Sequence, residues 1–445
     1  MTELITDLVQ EVVNIDDAAD LEVLNSKIAV QDEMDIALLL ESLPLEQRLN
    51  IWEAVPKHKR LEVLVEMRGD PRETLLDATA DDELDELFSD IDAETLLELS
   101  DSLPNKLIDR AVAAMDKKQQ QYFAGANQFT EEQIGHWGNR ENLVLPLTAK
   151  VSDAKRFLRR EVPNYTDCIY LVNRAGQFSE AVKLYKIHST PEHTPLVDLA
   201  EDDISVIKAS EDCTTAALSV QRSGYTSLPL VDDDFRFLGR VDIGAACELL
   251  NESYERQLMA GAGMDEDEDL FSPVRRSAKN RALWLGINLL TAFLASWFIG
   301  LFEATLQQVV ALAVLMPVVA SMGGIAGSQT LTLIIRGLAL KQVNAANLKA
   351  LLVKELKVGG LNGVIWALVI ATVASIWFDS MTLGVVIGIA ILVNICAAAL
   401  AGVGVPVLLD KLKLDPALSG SVILTTVTDI VGFVAFLGLG AIFLI

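Results

Sequence analysis

Residues 281–445 are apolar except for charges so sparse that they act as punctuation. Between Arg281 and Arg336 the only charged residue is Glu303, and between Lys357 and Asp410 the only one is Asp379. A helix needs about 20 apolar residues to cross the hydrocarbon of a bilayer, so each of these charges marks a turn between two spans. A further run follows Asp415 to the C-terminus with Asp429 as its single charge. Five membrane-crossing helices follow, in preference to the buried helical core of a large soluble protein.

The basic residues orient these helices. Arg275, Arg276, Lys279 and Arg281 precede span one. Arg336, Lys341, Lys349, Lys354 and Lys357 lie between spans two and three, and Lys411 and Lys413 between four and five. The connections around Glu303 and Asp379 hold no Lys or Arg. Basic connections stay on the cytoplasmic side, which predicts a multi-pass protein of the inner (plasma) membrane with its N-terminus in the cytoplasm and its C-terminus outside.

The rest of the chain is of another kind. Residues 271–445 carry 11 Lys/Arg against 6 Asp/Glu, so a chain of net charge −26 concentrates about −31 in residues 1–270. That charge argues against nucleic acid, whose phosphates it repels, and is compatible with cations. Four cysteines and four histidines show neither zinc spacing nor a disulfide framework. The acidic start, MTELITDLVQEVV, lacks the positive charge of a secretory signal. A cytosolic soluble body is expected.

Within span two, PVVASMGGIAGSQTLTLIIRGLA places Pro317, Gly323, Gly324 and Gly327 where a lipid-facing helix would be smooth. Irregular backbone in a bilayer survives where protein or a watery cavity covers it, so this segment faces another helix or a pore. Gly323 and Gly327 also fit plain small-residue packing. In span five, Asp429 lies roughly 18 Å beyond Ala417 at 1.5 Å per residue, close to mid-bilayer. A carboxylate there costs at least ~2.5 kcal/mol. Ser421, Thr425 and Asp429 recur every four residues and stack on one face, and no Lys, Arg or His stands at matching depth. Two readings remain at this point: a carboxylate accompanied by passing cations, or an uncharged Asp bonded to a neighbouring helix. Oxygen-only surroundings favour hard ions, and Mg2+, which holds its waters and binds through one or two carboxylates, fits better than Ca2+. Two chains about a two-fold axis could share one hydrated ion.

At these residues the sequence resembles the MgtE family of magnesium channels. The likeness runs through KNRALWLGINLLTAFL, MPVVASMGGIAGSQTLTLIIRGLA, VKELKVGGLNG and LDPALSGSVILTTVTDIVG. It implies a homodimer with a Mg2+ pore lined by spans two and five. Asp429 would be the metal residue, with Ser421, Thr425, Thr426, Gly323, Gly324 and Gln329 lining the pore. Three positions depart from the family pattern: Ile325 stands where it has Asn after Gly-Gly, Val422 where it has Pro, and Ser421 where Asn is common. Selectivity for Mg2+ over Co2+, Mn2+ or Ni2+ is left open.

The soluble half reads in two parts, after an N-terminal extension over 1–34. Over 35–130, Leu-rich helical blocks alternate with SLP and AVP breaks at Pro44, Pro56 and Pro104, which predicts an all-α superhelical N-domain with two weakly similar copies about 60 residues apart. Over 131–250, CIYLVN and SLPLVDDDFRFLGRVDI read as β, and VSDAKRFLRREV and CTTAALSVQRSG as helix. The second copy looks like a CBS module, and the pair like a degenerate α/β CBS tandem. Asp242, Ala245, Lys183 and Lys186 stand where an adenosine site wants other residues, which disfavours nucleotide binding. Residues 251–280 read as a connecting helix and an acidic linker, and 281–445 as the five-helix transmembrane bundle. In the family the connecting helix plugs the pore when cytosolic Mg2+ is high, which makes Glu252, Glu255, Asp265, Asp267 and Asp415 candidate sensing residues. The family has Glu-Asp where Glu255-Arg256 stands.

The reading is thus a homodimeric Mg2+ channel or carrier and not an enzyme, since no nucleophile, base and oxyanion arrangement can be assembled. Its rivals are a proton-coupled divalent cation transporter in which Asp429 titrates, and a membrane-anchored regulatory scaffold without transport.

Overall fold

The computed structural model describes residues 8–12, 26–159, 162–163, 166–201, 204–264 and 268–445. The chain forms two bodies, Met1–Glu255 with Asp267–Pro273, and Arg256–Glu266 with Val274–Ile445.

The first body begins with helices α1 (Glu33–Glu41), α2 (Leu45–Ala54), α3 (Arg60–Glu66), α4 (Gly69–Ala78), α5 (Asp81–Leu87), α6 (Ala93–Leu99), α7 (Asn105–Ala114) and α8 (Lys117–Ala126). Pro44 and Pro104 stand at the N-caps of α2 and α7, and Pro56 caps the short turn that leads into α3. Proline can stand there because a helix's first N–H groups have no intrahelical acceptor. Asp32, Asp92 and Asp116 cap α1, α6 and α8 by accepting from backbone N–H groups. The apolar faces meet in one core around Ile36, Leu40, Ile51, Val63, Leu64 and Leu75.

Three arginines tie successive helices together. Arg48 donates to the carbonyls of Leu40 (2.8 Å) and Leu43 (3.3 Å) beyond the end of α1. Arg60 does the same at the end of α2, to Glu53 and Val55 (3.1 Å each), and Arg72 at the end of α3, to Val65 (3.3 Å) and Met67. Each guanidinium thereby satisfies carbonyls that a helix leaves without a partner.

Two similar α/β modules follow. In the first, β1 (Val144–Pro146) runs parallel to β2 (Cys168–Val172), which pairs antiparallel with β3 (Phe178–Lys183). In the second, β4 (Ile207–Lys208), β5 (Ser227–Val231) and β6 (Phe237–Asp242) repeat that order. Helices α9 (Val151–Phe157), α10 (Cys213–Ser223) and α11 (Ile243–Gly261) accompany the sheets. The modules join through matching turns: Phe178 N–H donates to the Phe235 carbonyl (2.9 Å), and Phe237 N–H to that of Gly176 (3.0 Å). Gly176 and Phe235 both have positive φ, 77° and 61°. The turn demands that backbone, and only the glycine adopts it without strain. Both sheets shift register at one point, Leu171/Val172 and Leu230/Val231.

The second body contains five helices long and apolar enough to cross a membrane: Val274–Gly300, Val310–Ala339, Leu348–Trp377, Met381–Lys411 and Pro416–Phe443, here spans one to five. Glu303 opens a short helix between spans one and two, and Asp379 sits with φ 50° in the turn between spans three and four. Span four is the most enclosed, whereas span one buries little beyond Ala295. Spans three and four approach closely because Gly359 and Gly363 on one and Gly384 and Gly388 on the other leave no room for a Cβ.

Candidate functional site

Spans two and five together line an open groove of about 760 Å³. Ser321, Ile325, Ser328 and Thr332 recur at helical spacing on span two, with Gly324 and Gln329 beside them, and face Thr425 and Asp429 of span five. Gly324 supplies backbone without bulk, so the groove is not filled. Asp429 stands in the middle of the 28-residue helix Pro416–Phe443. Its side chain is half-buried, and among the described residues no hydrogen bond or ion pair to its carboxylate is made.

The hydroxyls nearby are oriented by their own helix. Thr425 Oγ1 donates to the Ser421 carbonyl (2.9 Å), and Thr426 Oγ1 to that of Val422 (2.8 Å). With its proton engaged there, Thr425 offers lone pairs to the groove. A carboxylate, a hydroxyl acceptor and the Gln329 amide form an oxygen-bearing wall suited to a hard, hydrated cation.

The predicted pore residues are therefore divided. Asp429, Thr425, Gly324 and Gln329 share the groove, whereas Ser421 and Thr426 are not among the groove-lining residues. Gly323 is buried on a different face, where a Cβ would lie 2.2 Å from Asn394 Nδ2. It is a packing glycine, as Gly327 is against Leu424. Sequence reasoning missed Ser321, Ser328 and Thr332, whose seven- and four-residue spacings from Gly324 and Ile325 carried the signal. Ile325 is 57% exposed and lines the groove.

Of the predicted sensing residues, Glu252 and Glu255 belong to the first body and Asp415 to the second. Asp415 caps span five, accepting from Ala417 N–H at 2.7 Å, and Glu255 pairs with Arg68 at 3.2 Å across an exposed surface. Glu252 lies one helical turn before Glu255 on α11, and Asp265 and Asp267 lie outside the described residues. No group of three or more His, Cys, Asp or Glu side chains among the described residues is placed to hold a metal. At the sites weighed for adenosine, Asp242 pairs with Arg240 (2.7 Å), Lys186 with Glu201 (2.9 Å), and Lys183 lies 4.7 Å over the Tyr225 ring.

A buried pair fixes the end of the acidic linker within the first body. Arg48 Nη2 meets Asp269 Oδ2 at 2.5 Å, with both side chains nearly inaccessible. Ser272 Oγ adds a bond to Asp70 Oδ2 at 2.7 Å.

Two family models match the chain. One described as MgtE, a divalent cation transporter, covers residues 316–439 and so includes the groove. The other, the MgtE intracellular N domain, covers residues 31–132. The magnesium transporter MgtE of Bacillus subtilis is 23% identical over 425 residues, 94% of this chain and 93% of that protein. Its counterpart from Thermus thermophilus is 26% identical over 71% of each chain. Among solved structures, a cystathionine beta-synthase pair domain from Shewanella oneidensis MR-1 is 34% identical, with a TM-score of 0.33 over 38% of this chain and 98% of its own. The cytosolic domain of the Mg2+ channel MgtE in complex with ATP is 19% identical, with a TM-score of 0.46 over 54% of this chain and 98% of its own.

Proposed function

This chain belongs to the MgtE family of divalent cation transporters, and from that premise we propose that it carries Mg2+ across the cytoplasmic membrane through a homodimeric pore lined by spans two and five. The observation that carries this reading is Asp429: a half-buried carboxylate at mid-span, open to a groove and, among the described residues, without a fixed cation beside it. A mobile divalent ion is the partner that makes such a charge tolerable in a bilayer. Mg2+ keeps most of its waters, so one carboxylate from each of two chains, with Thr425 and Gln329 contacting the hydration shell, suffices to hold it.

The positive-inside asymmetry of the connections supports a cytoplasmic acidic body and an outward C-terminus. Cytosolic Mg2+ binding among the carboxylates of that body would then bias the pore toward closure, with Glu252, Glu255, Asp265, Asp267 and Asp415 as the positions taken from the family. Replacing Asp429 by Ala should abolish Mg2+-dependent growth of a transport-deficient host at unchanged expression. Full growth with that variant would remove Asp429 from the pathway.

A further inference from the structure

The groove wall of span two runs from Ala320 to Thr332, and buried polar side chains hold it from behind near both ends. At one end, Asn394 of span four is wholly inaccessible and donates from Nδ2 to the Val319 carbonyl at 2.9 Å. At the other, Thr330 Oγ1 donates to Glu355 Oε2 of span three at 3.3 Å. Glu355 is itself buried and takes Lys354 Nζ at 2.5 Å on its other oxygen.

The chain is built around the first of these contacts. A Cβ on Gly323 would lie 2.2 Å from Asn394 Nδ2, and one on Gly432 would lie 2.5 Å from it. Gly432 follows Asp429 by less than one helical turn, so the amide is wedged between the two helices that form the groove. The carbonyl it holds is the one that Gly323 N–H would take in a regular helix, in the turn just after Pro317. An amide is an expensive choice here, because Oδ1 is buried without a hydrogen-bond partner among the described residues. A leucine would fill the space with no orphaned polar atom.

We infer that Asn394 is a positioning residue for transport, fixing the rotation and depth of span two against span five and so the arrangement of Gly324, Ser328 and Gln329 around Asp429. This rests on the transport reading above. Helices in lipid have no hydrophobic drive toward one register, and an ion site needs its groups held to about half an ångström. A buried polar contact supplies that constraint at some expense in stability.

The experiment uses the full-length protein in vesicles and in detergent, comparing wild type with Asn394→Leu and Gly323→Ala. Asn394→Leu should be at least as heat-stable as wild type, yet its half-saturating Mg2+ concentration should rise about ten-fold, the scale at which supporting groups act on a metal site, with maximal flux changed less. Hydrogen exchange at the amides of 323–329 should quicken. Gly323→Ala, which displaces the amide without altering it, should raise the half-saturating concentration in the same direction. Should Asn394→Leu not insert, Asn394→Ala leaves only a void and is read in the same way. An unchanged half-saturating concentration overturns the inference whatever the exchange rates do. Absence of flux in wild type sinks the transport reading instead, and unchanged exchange at 323–329 would then overturn the clamp on its own.

Discussion

Asp429 was legible in the sequence because a single charge among apolar neighbours announces its own cost, at least ~2.5 kcal/mol at the centre of a span. The face of span two that accompanies it was not. Gly323 and Gly324 are adjacent letters of one motif, yet Asn394 claims the first and the groove takes the second. Nothing within span two distinguishes them, since the distinction is made by a residue two helices further along the chain. Arg48 is the opposite case, a charge in a helical domain that reads as surface and is only 1% exposed. Its guanidinium caps α1 and neutralises Asp269. Arg48→Met should therefore cost about 3–5 kcal/mol, because it strands a buried carboxylate and uncaps carbonyls together. A drop in the thermal midpoint and faster proteolysis near residues 268–273 would register it, whereas an unchanged midpoint would mean that the pair contributes nothing.

Helices and turns were the most readable elements. The two charges that divide the apolar runs fall between the long helices, with Asp379 in a left-handed turn and Glu303 opening a short helix, because a charge is least costly where the chain meets water. Pro44, Pro56 and Pro104 mark starts for the same kind of reason, a missing N–H where none is needed. Within the helical domain a rhythm shorter than the expected repeat of about 60 residues governs the packing. Arg48, Arg60 and Arg72 are evenly spaced, and each caps the helix before it. Strand β3, Phe178–Lys183, was not singled out because SEAVK is polar, and its pairing with β2 supplies what its side chains do not. The contact between spans three and four was equally unreadable, since glycines at four-residue spacing, Gly323 and Gly327, also occur in span two, where they pack against other partners. At Gly384 a Cβ would lie 2.5 Å from the Ala371 carbonyl. Gly384→Val should accordingly force the two helices apart at a cost of about 1–3 kcal/mol, seen as a lower midpoint and reduced yield of folded protein. A variant as stable as wild type would show that the approach is not tight.

At the scale of the whole chain, the division between an acidic part and a slightly basic apolar part was plain from charge alone. What composition could not convey is how the acidic part tolerates its own charge. Burial, and then the charges of Glu248 and Glu94, push the Glu98 carboxyl up to about 7. Burial and a shared hydrogen bond with Glu131 push Asp101 up to about 6. An acid raised in the folded state binds its proton more tightly than the unfolded chain does, so its contribution is present at low pH and is lost as pH rises through the raised value. Glu98→Gln should thus raise the thermal midpoint near pH 8 and leave it unchanged near pH 4, below the carboxyl's ordinary value. The effect should be small, because Glu98 keeps solvent contact, and a loss of stability near pH 8 would reverse the assignment. The central claim is that a mid-span carboxylate passes divalent cations, and Mg2+ entry into vesicles holding only this purified protein tests it most directly. With no proton gradient imposed, wild type should admit Mg2+ and Asp429→Asn should not exceed the protein-free leak. Equal entry through both proteins, or entry through wild type only when a proton gradient is supplied, would contradict the account.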